Sequence, residues 1–271
     1  MDDIRQSLQY AQFMRDLGWK VEKIGESYAY IRRFPLLGSF IKIQRIKLPI
    51  PLDKIEEIRK KYRAFKVQIA PNVIGNDGNL ERLFLKHGYK IDHSPNIPTK
   101  TIHIDLRPDE EIIFSRFSEA KRRAVRRAIK NIVVVKESDD IEAFIKIRTQ
   151  RLFPMGFFVR KEMLFLWEEF YPKNLALLII PNLAGVLLLF HNSCAYYWYA
   201  ASTDEGKHLF APTLLVWETL KMSKKRGARI FDFEGMYDER FPKATNSWKG
   251  FSKFKEGFGG QIVEFLPNFC K

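Results

Sequence analysis

Residues 247–265 read SWKGFSKFKEGFGGQIVEF and combine positive charge, flat rings and flexible backbone. Three lysines, four phenylalanines, four glycines and one tryptophan share these positions. Lys249, Lys253 and Lys255 are candidates to meet phosphates or a developing oxyanion, and the glycines permit a turn and a close backbone approach. The order of residues excludes a P-loop. A site for a bulky anionic ligand is one interpretation of this segment, and an ordinary β-hairpin is the other.

A cationic helix is predicted at residues 118–130, SEAKRRAVRRAIK. Arg122 and Arg126 are four residues apart, as are Arg123 and Arg127, so two rows of guanidinium groups line adjacent faces. Like charges at this spacing repel, and Arg binds phosphate bidentately, so the pattern favours contact with a phosphate backbone. The alternative is a solvated helix face balanced by three neighbouring acids, Asp109, Glu110 and Glu111.

Two carboxylates lie in the segment RIFDFEG, residues 229–235, which predicts a buried strand. Asp232 and Glu234 alternate with Phe231 and Phe233, so both carboxylates are expected to leave one face of that strand. They are candidates to receive a proton from an amine, and ion pairing with a nearby Arg or Lys is the alternative. The chain has no G-x-S-x-G and no H-E-x-x-H pattern, and its 5 histidines are scattered. We therefore predict neither a nucleophilic serine nor a metal site.

The overall charge points to an anionic partner. The formal net charge is +14 and the pI is about 9.7, which fits nucleic acid, an acidic lipid surface or a phosphate-rich metabolite; a protein that is merely basic is the alternative. A hydrophobic content of 46% excludes a disordered chain. Cys194 and Cys270 are too few for a disulfide framework or a zinc site, so we expect a reducing, cytoplasmic setting.

No membrane-spanning segment is predicted. The longest apolar stretch, LALLIIPNLAGVLLLF at residues 175–190, is shorter than the roughly 18 to 20 residues of a spanning helix. Pro181 and Asn182 divide it, which predicts two buried strands joined by a turn. The N-terminus lacks the apolar region of a signal peptide. Any contact with the inner membrane face is thus expected to be peripheral.

Helical and strand patterns are interleaved along the chain, which predicts an α/β or α+β fold with sheets covered by helices. Residues 107–131 predict a helical region broken near Ser118, and SDDIEAFIKIRTQRLF at 138–153 predicts another helix. Three consecutive strands are predicted from LALLII, AGVLLLF and AYYWYAAS. These elements would have to position the charged residues described above.

Several of these segments occur together in the order of a known family. They are SLQYAQFMRDLGWKV, the pattern Arg122-x-x-x-Arg126-x-Ala128, YYWYAAS, APTLLVWETLKMSKKRGARIFDFEG and WKGFSKFKEGFGGQIVEF. Together they resemble the Fem (FemABX) family of aminoacyl-tRNA-dependent peptidoglycan-bridge aminoacyltransferases. The resemblance covers most of the chain and is strongest from Thr101 onward. It implies two GNAT-like domains with mixed central sheets flanked by helices: a trimmed first domain at 1–98 and a second at 99–271, whose last strand is a candidate to return to the first.

The resemblance also implies an activity and a set of site residues. The activity is transfer of an amino acid from aminoacyl-tRNA to the stem-peptide amine of a UDP- or lipid-linked muropeptide precursor. No metal or diffusible cofactor takes part. Phe254 and Lys255 would lie by the tRNA-side channel. Precursor binding would fall to Arg32, Arg33, Arg45, Tyr197 and Tyr199.

Two other functions remain open from the residues alone. One is a GNAT acyltransferase that uses acyl-CoA, although the segment HLFAPTLLVW lacks the Gly-rich turn expected before a pyrophosphate-binding helix. The other is a non-enzymatic RNA-binding protein with basic and aromatic surfaces. The chain also departs from the family pattern at Ala70, where an acidic residue is usual, and in QRIKLP, which lacks a glycine.

Overall fold

The computed structural model describes residues 2–150 and 156–271, which fold as two compact units. The first comprises Met1–Thr101, Gly235–Ser252 and Ile262–Lys271, and the second comprises Ile102–Glu234 and Lys253–Gln261. The sequence analysis divided the chain into 1–98 and 99–271 and named the last strand as a candidate to return to the first domain. In the structure the C-terminal strand, Phe269–Cys270, pairs with strands of the first unit, and residues 235–252 also belong to that unit.

The elements are numbered in chain order. After a 3-10 helix at Ile4–Gln6, the first part of the chain forms α1 (Leu8–Asp16), β1 (Lys20–Ile24), β2 (Ser27–Phe34), β3 (Gly38–Ile46), α2 (Leu52–Lys61), β4 (Ala64–Pro71), α3 (Gly78–Lys86) and β5 (Lys90–Ile91). The middle forms β6 (Lys100–Asp105), α4 (Glu110–Ser115), α5 (Glu119–Lys130), β7 (Lys136–Ser138), α6 (Ile141–Thr149), α7 (Gly156–Phe170), β8 (Leu175–Ile180), β9 (Ala184–His191), β10 (Cys194–Ser202), α8 (Asp204–His208), α9 (Ala211–Lys225) and β11 (Ile230–Asp232). The last part forms α10 (Pro242–Thr245), a 3-10 helix at Asn246–Trp248, α11 (Lys249–Glu256), β12 (Gln261–Glu264) and β13 (Phe269–Cys270).

The sheet of the first unit has the order β1-β2-β3-β4-β13-β5 within the described residues. Its strands are antiparallel except for the pair β3 and β4, which is parallel. Isoleucines of β3 and β4, such as Ile43 and Ile69, pack in a core with Phe84 of α3 and Phe269 of β13. The rings of Phe84 and Phe269 stack with centroids 4.1 Å apart, so the C-terminal strand is built into this core.

The second sheet has the order β12-β6-β11-β10-β9-β8-β7 in the described part of the chain. Strands β10 and β11 are parallel, and the pairs from β10 to β7 are antiparallel. Residues 175–180 are buried along the whole of β8, because a central strand covered on both faces needs apolar side chains at every position. The predicted strands LALLII, AGVLLLF and AYYWYAAS are confirmed as β8, β9 and β10. None of the described helices is long and apolar enough to cross a bilayer.

The break in the basic helical region is confirmed. Helix α4 ends at Ser115 and α5 begins at Glu119, with the Ser118 side chain accepting a hydrogen bond from the Lys121 backbone N–H. Helix α6 is capped by Asp140, which accepts from the Ala143 N–H, and runs to Thr149. The predicted continuation of that helix through 151–153 lies outside the described residues.

The hairpin interpretation of residues 247–265 is wrong. Residues Lys249–Glu256 form helix α11, and a turn leads from it to β12. Phe251, Phe254 and Phe258 recur at intervals of three and four residues, which is the period of a helix. Gly250 is accommodated inside the helix, and Gly257 follows its last residue. The helical period of the rings therefore outweighs the glycines.

The expected alternation of Asp232 and Glu234 along one strand is also wrong. Strand β11 ends at Asp232, and Glu234 has a φ of 53°, in the left-handed region. The chain bends because the Glu234 backbone N–H donates to Asp232 Oδ1 at 2.8 Å, a local turn that competes with strand geometry. The side chain of Asp232 therefore extends from a strand, and that of Glu234 from a residue in the left-handed conformation.

Candidate active site

Lys255 lies on the C-terminal half of α11, against the end of β11. Its ammonium donates to the main-chain oxygen of Glu234 at 2.6 Å, and only 8% of the residue is exposed. Burial lowers the pKa of Lys255 to about 8, while the negative charges of Glu234 and Asp232 act in the opposite direction. The structure thus brings together Lys255, Phe254 and the two predicted carboxylates within the second unit.

Asp232 is buried and faces a histidine that the sequence analysis did not single out. The Oδ2 atom of Asp232 lies 3.2 Å from Nε2 of His103, which stands on the neighbouring strand β6. Its Oδ1 atom accepts from the Glu234 N–H. A scattered histidine gives no sequence signal, and the antiparallel pairing of β6 with β11 is what places His103 opposite Asp232.

A second lysine, the half-buried Lys121, lies over the ring of Phe254, the residue that precedes Lys255. The Lys121 Nζ lies 3.6 Å from the centroid of the Phe254 ring and 4.9 Å from that of Phe258. These are cation–π distances. Burial lowers the pKa of Lys121 to about 8. Sequence reasoning treated Lys121 as one cation of a basic run and missed this position.

Phe254 packs through Phe258 against a cluster of aromatic rings. Phe258 is fully buried, and its centroid lies 5.2 Å from that of Phe254, 5.0 Å from that of Phe117 and 5.6 Å from that of Phe233. Tyr197 continues the cluster, with its centroid 5.5 Å from that of Phe233. Because such ring pairs have preferred geometries, the cluster limits the positions that Phe254 can take.

Two glycines after α11 allow the backbone to approach Arg116, between α4 and α5, and strand β6 closely. Gly259 has a φ of 73°, and a Cβ there would lie 2.1 Å from the Arg116 carbonyl oxygen. A Cβ at Gly260 would lie 2.4 Å from Ile102 Cγ2 and 2.7 Å from the His103 carbonyl oxygen. The predicted close backbone approach is confirmed at these positions. This close approach fixes the position of the C-terminal end of α11, and hence of Lys255, relative to the sheet.

Strand β10 outruns its parallel neighbour. Its pairing with β11 runs from Cys194 to Tyr196, whereas the strand continues to Ser202, and its register with β9 shifts between Tyr197 and Tyr199. Burial raises the pKa of Tyr197. The Tyr199 hydroxyl donates to Glu162 Oε1 at 2.6 Å. Of the two predicted precursor-binding tyrosines, the first therefore belongs to the aromatic cluster and the second to a polar contact with α7.

The predicted phosphate-binding arginines of α5 divide into two kinds. Arg122 donates from Nη1 to the main-chain oxygens of Ser115 and Phe117, at 2.8 and 2.5 Å, and so caps α4. Arg123, Arg126 and Arg127 are exposed. Arg123 pairs with Glu119, and the guanidinium groups of the other two lie over the rings of Phe114 and Phe210.

The acids invoked in the alternative interpretation form no ion pair with the α5 arginines in the described part of the chain; these acids are Asp109, Glu110 and Glu111. Lys253 is exposed on α11 in the second unit. Lys249 belongs to the first unit, where its Nζ lies 4.8 Å from the centroid of the Tyr237 ring.

The three predicted precursor-binding arginines all lie in the first unit and have different surroundings. Arg33 is exposed beside Tyr62. Arg32 donates to the Leu17 main-chain oxygen at 2.7 Å. Arg45 is buried, donates to the Pro98 oxygen at 2.7 Å and lies over the Phe265 ring. The roles of all predicted site residues stay predictions. Within residues 2–150 and 156–271 no group of three His, Cys, Asp or Glu side chains could hold a metal ion.

Comparison with known proteins finds a similarity to one family in the C-terminal third of the chain. Residues 178–271 match the model of the FemAB family. The Lipid II:glycine glycyltransferase of Staphylococcus haemolyticus is 29% identical over 92 residues, which are 33% of this chain and 22% of that protein. The match therefore spans about a fifth of the length of that relative.

Solved structures of other proteins superpose on nearly the whole chain. The crystal structure of FemX superposes with a TM-score of 0.79 at 17% identity, covering 99% of this chain and 92% of that one. A tandem GNAT protein from the clavulanic acid biosynthesis pathway superposes with a TM-score of 0.54 at 11% identity, covering 92% of this chain and 80% of that one. At these identities the likeness concerns the fold. The predicted GNAT-like fold with mixed sheets flanked by helices is confirmed.

Proposed function

We propose that this chain, a Fem-family protein by its residues 178–271 and by its fold, is an aminoacyltransferase that acts in peptidoglycan-bridge formation. The donor is aminoacyl-tRNA and the acceptor is the stem-peptide amine of a muropeptide precursor. We take the precursor to be lipid-linked, since the relative from Staphylococcus haemolyticus is named for its action on lipid II. The reaction would need no cofactor other than the aminoacyl-tRNA co-substrate.

The observation that carries the proposal is the buried ammonium of Lys255, next to Phe254 and held by the Glu234 main-chain oxygen. A positive charge in a site with little water stabilises developing negative charge far more than the same charge in solvent. Lys255 is suited to stabilise the oxyanion that forms when an amine attacks an ester carbonyl. Phe254 would present its ring face to the donor beside that charge.

In the proposed reaction the acceptor amine attacks the ester directly, with no covalent enzyme intermediate. The acceptor nitrogen forms a bond with the ester carbonyl carbon, the bond from that carbon to the terminal ribose oxygen breaks, and a proton passes from the nitrogen to the departing oxygen. Asp232 and Glu234 are the candidates to receive the proton first. An amine attacking an activated ester needs no enzyme nucleophile, so positioning and charge stabilisation can supply much of the rate.

Both proposed substrates are polyanions, which is consistent with the net charge of +14. The exposed arginines Arg126 and Arg127 are the candidates for tRNA phosphates. Arg33, Arg32 and Tyr199 are the candidates for the precursor. The proposed setting is the cytoplasmic face of the membrane, with peripheral contact.

The test is to mix the protein with a pool of charged tRNAs and with lipid-linked and UDP-linked precursors, and to search for an added residue by mass spectrometry. Lys255→Met should lower transfer by at least about a hundredfold, while Lys243→Met, which removes an exposed lysine from α10, should leave it unchanged. Normal transfer by the Lys255 variant would remove this lysine from the mechanism. Consumption of acyl-CoA without tRNA, or tRNA binding without any transfer, would favour the acyltransferase or RNA-binding alternatives instead.

A further inference from the structure

The β2–β3 hairpin of the first unit ends in a set of exposed apolar side chains. Leu36 is fully exposed and Leu37 is 72% exposed. Phe34 is partly exposed in the same turn, and its ring lies 5.8 Å from that of Phe65, which is itself 56% exposed on the neighbouring strand β4. We call this set the apolar tip; it consists of Phe34, Pro35, Leu36, Leu37 and Phe65.

The folding of the unit does not account for a leucine at position 36. Its φ is 68°, in the left-handed region that glycine and asparagine adopt more readily than leucine. Its side chain is fully exposed, so it gains nothing from burial in the core. A residue that is both strained and unburied is a reason to look for a role outside the fold.

The base of the apolar tip is held firmly. The Ser39 N–H donates to the Arg63 main-chain oxygen at 3.3 Å, and its hydroxyl donates to the Tyr62 main-chain oxygen at 2.8 Å. A Cβ at Gly38 would lie 2.3 Å from the Arg63 oxygen. The hairpin turn and the turn between α2 and β4 therefore present one continuous surface.

Cations surround the apolar tip. A hollow of about 640 Å³ lies beside it, lined by the tip residues of the hairpin, by Tyr62 and by the cations Arg33, Lys61 and Arg63. We call these three cations the basic rim. Lys61 pairs with Glu22 at 3.0 Å. Arg33 and Arg63 form no ion pair with any residue that the structure describes, so the rim keeps a net positive charge.

We propose that the apolar tip docks into a bilayer that contains anionic phospholipids, with the basic rim at the level of the phosphates. Side chains such as leucine and phenylalanine enter the boundary between headgroups and acyl chains, and cations beside them are attracted to an anionic leaflet. Leu36 and Leu37 are more exposed than the two phenylalanines of the tip, and a leucine offers no aromatic ring on which a nucleobase could stack. The charge of the rim is complementary to an anionic lipid surface.

The experiment is flotation of the full chain with vesicles of phosphatidylcholine alone, or of phosphatidylcholine with one third phosphatidylglycerol. The chain should float with the anionic vesicles and should bind the neutral ones weakly. Leu36→Asn with Leu37→Asn should lower the partition coefficient at least about tenfold. Because asparagine tolerates a left-handed backbone, this variant should unfold at the same temperature as the parent or above it. Arg33→Gln with Arg63→Gln should lower the partition coefficient about thirtyfold at low salt.

The matched control is Ile132→Asn. Ile132 is also exposed and has a φ of 56°, but it follows the basic helix α5 in the second unit. Its variant should bind anionic vesicles as the parent does. Unchanged binding by the Leu36/Leu37 variant, or loss of binding by the Ile132 variant, would overturn the proposal. A parent protein that dimerises through the tip, and becomes monomeric in the Leu36/Leu37 variant without vesicles, would overturn it in favour of a second copy.

Vesicles without precursor or tRNA keep this test independent of the proposed activity. Vesicle binding in the absence of any transfer activity would leave the docking surface in place and remove only the enzyme proposal. The Leu36/Leu37 variant should also transfer normally to a water-soluble UDP-linked acceptor if the parent does.

Discussion

Among the described residues, Lys121 and Lys255 differ from the other cations, because burial lowers the pKa of each to about 8. Lys255 donates to a main-chain oxygen, and Lys121 lies over the face of the Phe254 ring. One touches the end of the sheet and the other holds the ring beside it. We therefore expect Lys121 to act through the position of the Phe254 ring.

Lys121→Met should lower the rate of transfer about tenfold, since the variant keeps the aliphatic chain and loses a cation–π contact of about 1 to 2 kcal/mol. The Phe254 ring should become more mobile, which its side-chain NMR signals would report. Lys121→Arg should restore both the rate and the signals. Lys130→Met, an exposed lysine of the same helix, should change neither. A Lys121→Met protein with an unchanged rate and ring signals would refute this positioning role.

The pKa of Lys255 also predicts how stability depends on pH. Its ordinary pKa is 10.5, and burial lowers the pKa to about 8 in the folded chain, so the unfolded chain binds more protons between these values. The free energy of unfolding should therefore rise with pH from about 8 to 10.5, and the benefit is lost as pH falls through 8.

Urea unfolding at several pH values tests this. Lys255→Met should remove up to about 3 kcal/mol of the rise, which corresponds to a lowering of the pKa by about 2.5 units. Comparison of parent and variant cancels the titration of all other groups. Parallel curves for the two proteins would show that Lys255 is not the group responsible.

At the scale of elements, the spacing of apolar and aromatic side chains decided which helices and strands could be predicted from the sequence. The strands β8, β9 and β10 follow from runs of buried apolar residues, and the start of α5 follows from the cap residue Ser118. Helix α11 was missed because its glycines indicate turns, although its phenylalanines recur with helical spacing. The position of Lys121 could not be predicted, since a charged residue in a basic run gives no sign that its ammonium lies over an aromatic ring.

Alanine substitution should have opposite effects on stability at two glycines near α11. Gly259→Ala should destabilise the chain by several kcal/mol, on the order of 3, because φ is positive and a Cβ would meet the Arg116 oxygen. Gly250→Ala should stabilise it by about 0.5 to 1 kcal/mol, because that glycine is helical and nothing lies within 4 Å of an added Cβ. Thermal and urea unfolding measure both. A harmless Gly259→Ala substitution would contradict the close approach to Arg116.

At the scale of the whole molecule, the charge of +14 is its most general property. If tRNA phosphates meet α5, Arg126→Gln with Arg127→Gln should weaken tRNA binding. The slope of log affinity against log salt should become shallower by about 2. Arg82→Gln with Lys86→Gln removes two exposed cations from α3 and should leave the slope unchanged. Equal slopes in all three proteins would mean that the α5 arginines form only a solvated surface.

The return of the last strand to the first domain could be named from the sequence only as a candidate. The alternation of helices and strands predicts the fold class, but strand β13 is only two residues long, Phe269–Cys270, and its partners lie some two hundred residues earlier. So short a strand carries no periodicity. Its place is set by stacking on Phe84 and by the ladder with β4 and β5.

The insertion of β13 between β4 and β5 has a consequence for biosynthesis. A nascent chain whose residues 1–101 have left the ribosome still lacks β13, the strand that joins β4 to the edge strand β5. While the ribosome covers residues 269–270, β4 and β5 present unpaired edges. Most of the first unit is translated before the second. Its sheet should nevertheless stay incomplete, and open to chaperones and to aggregation, until Cys270 has been synthesised.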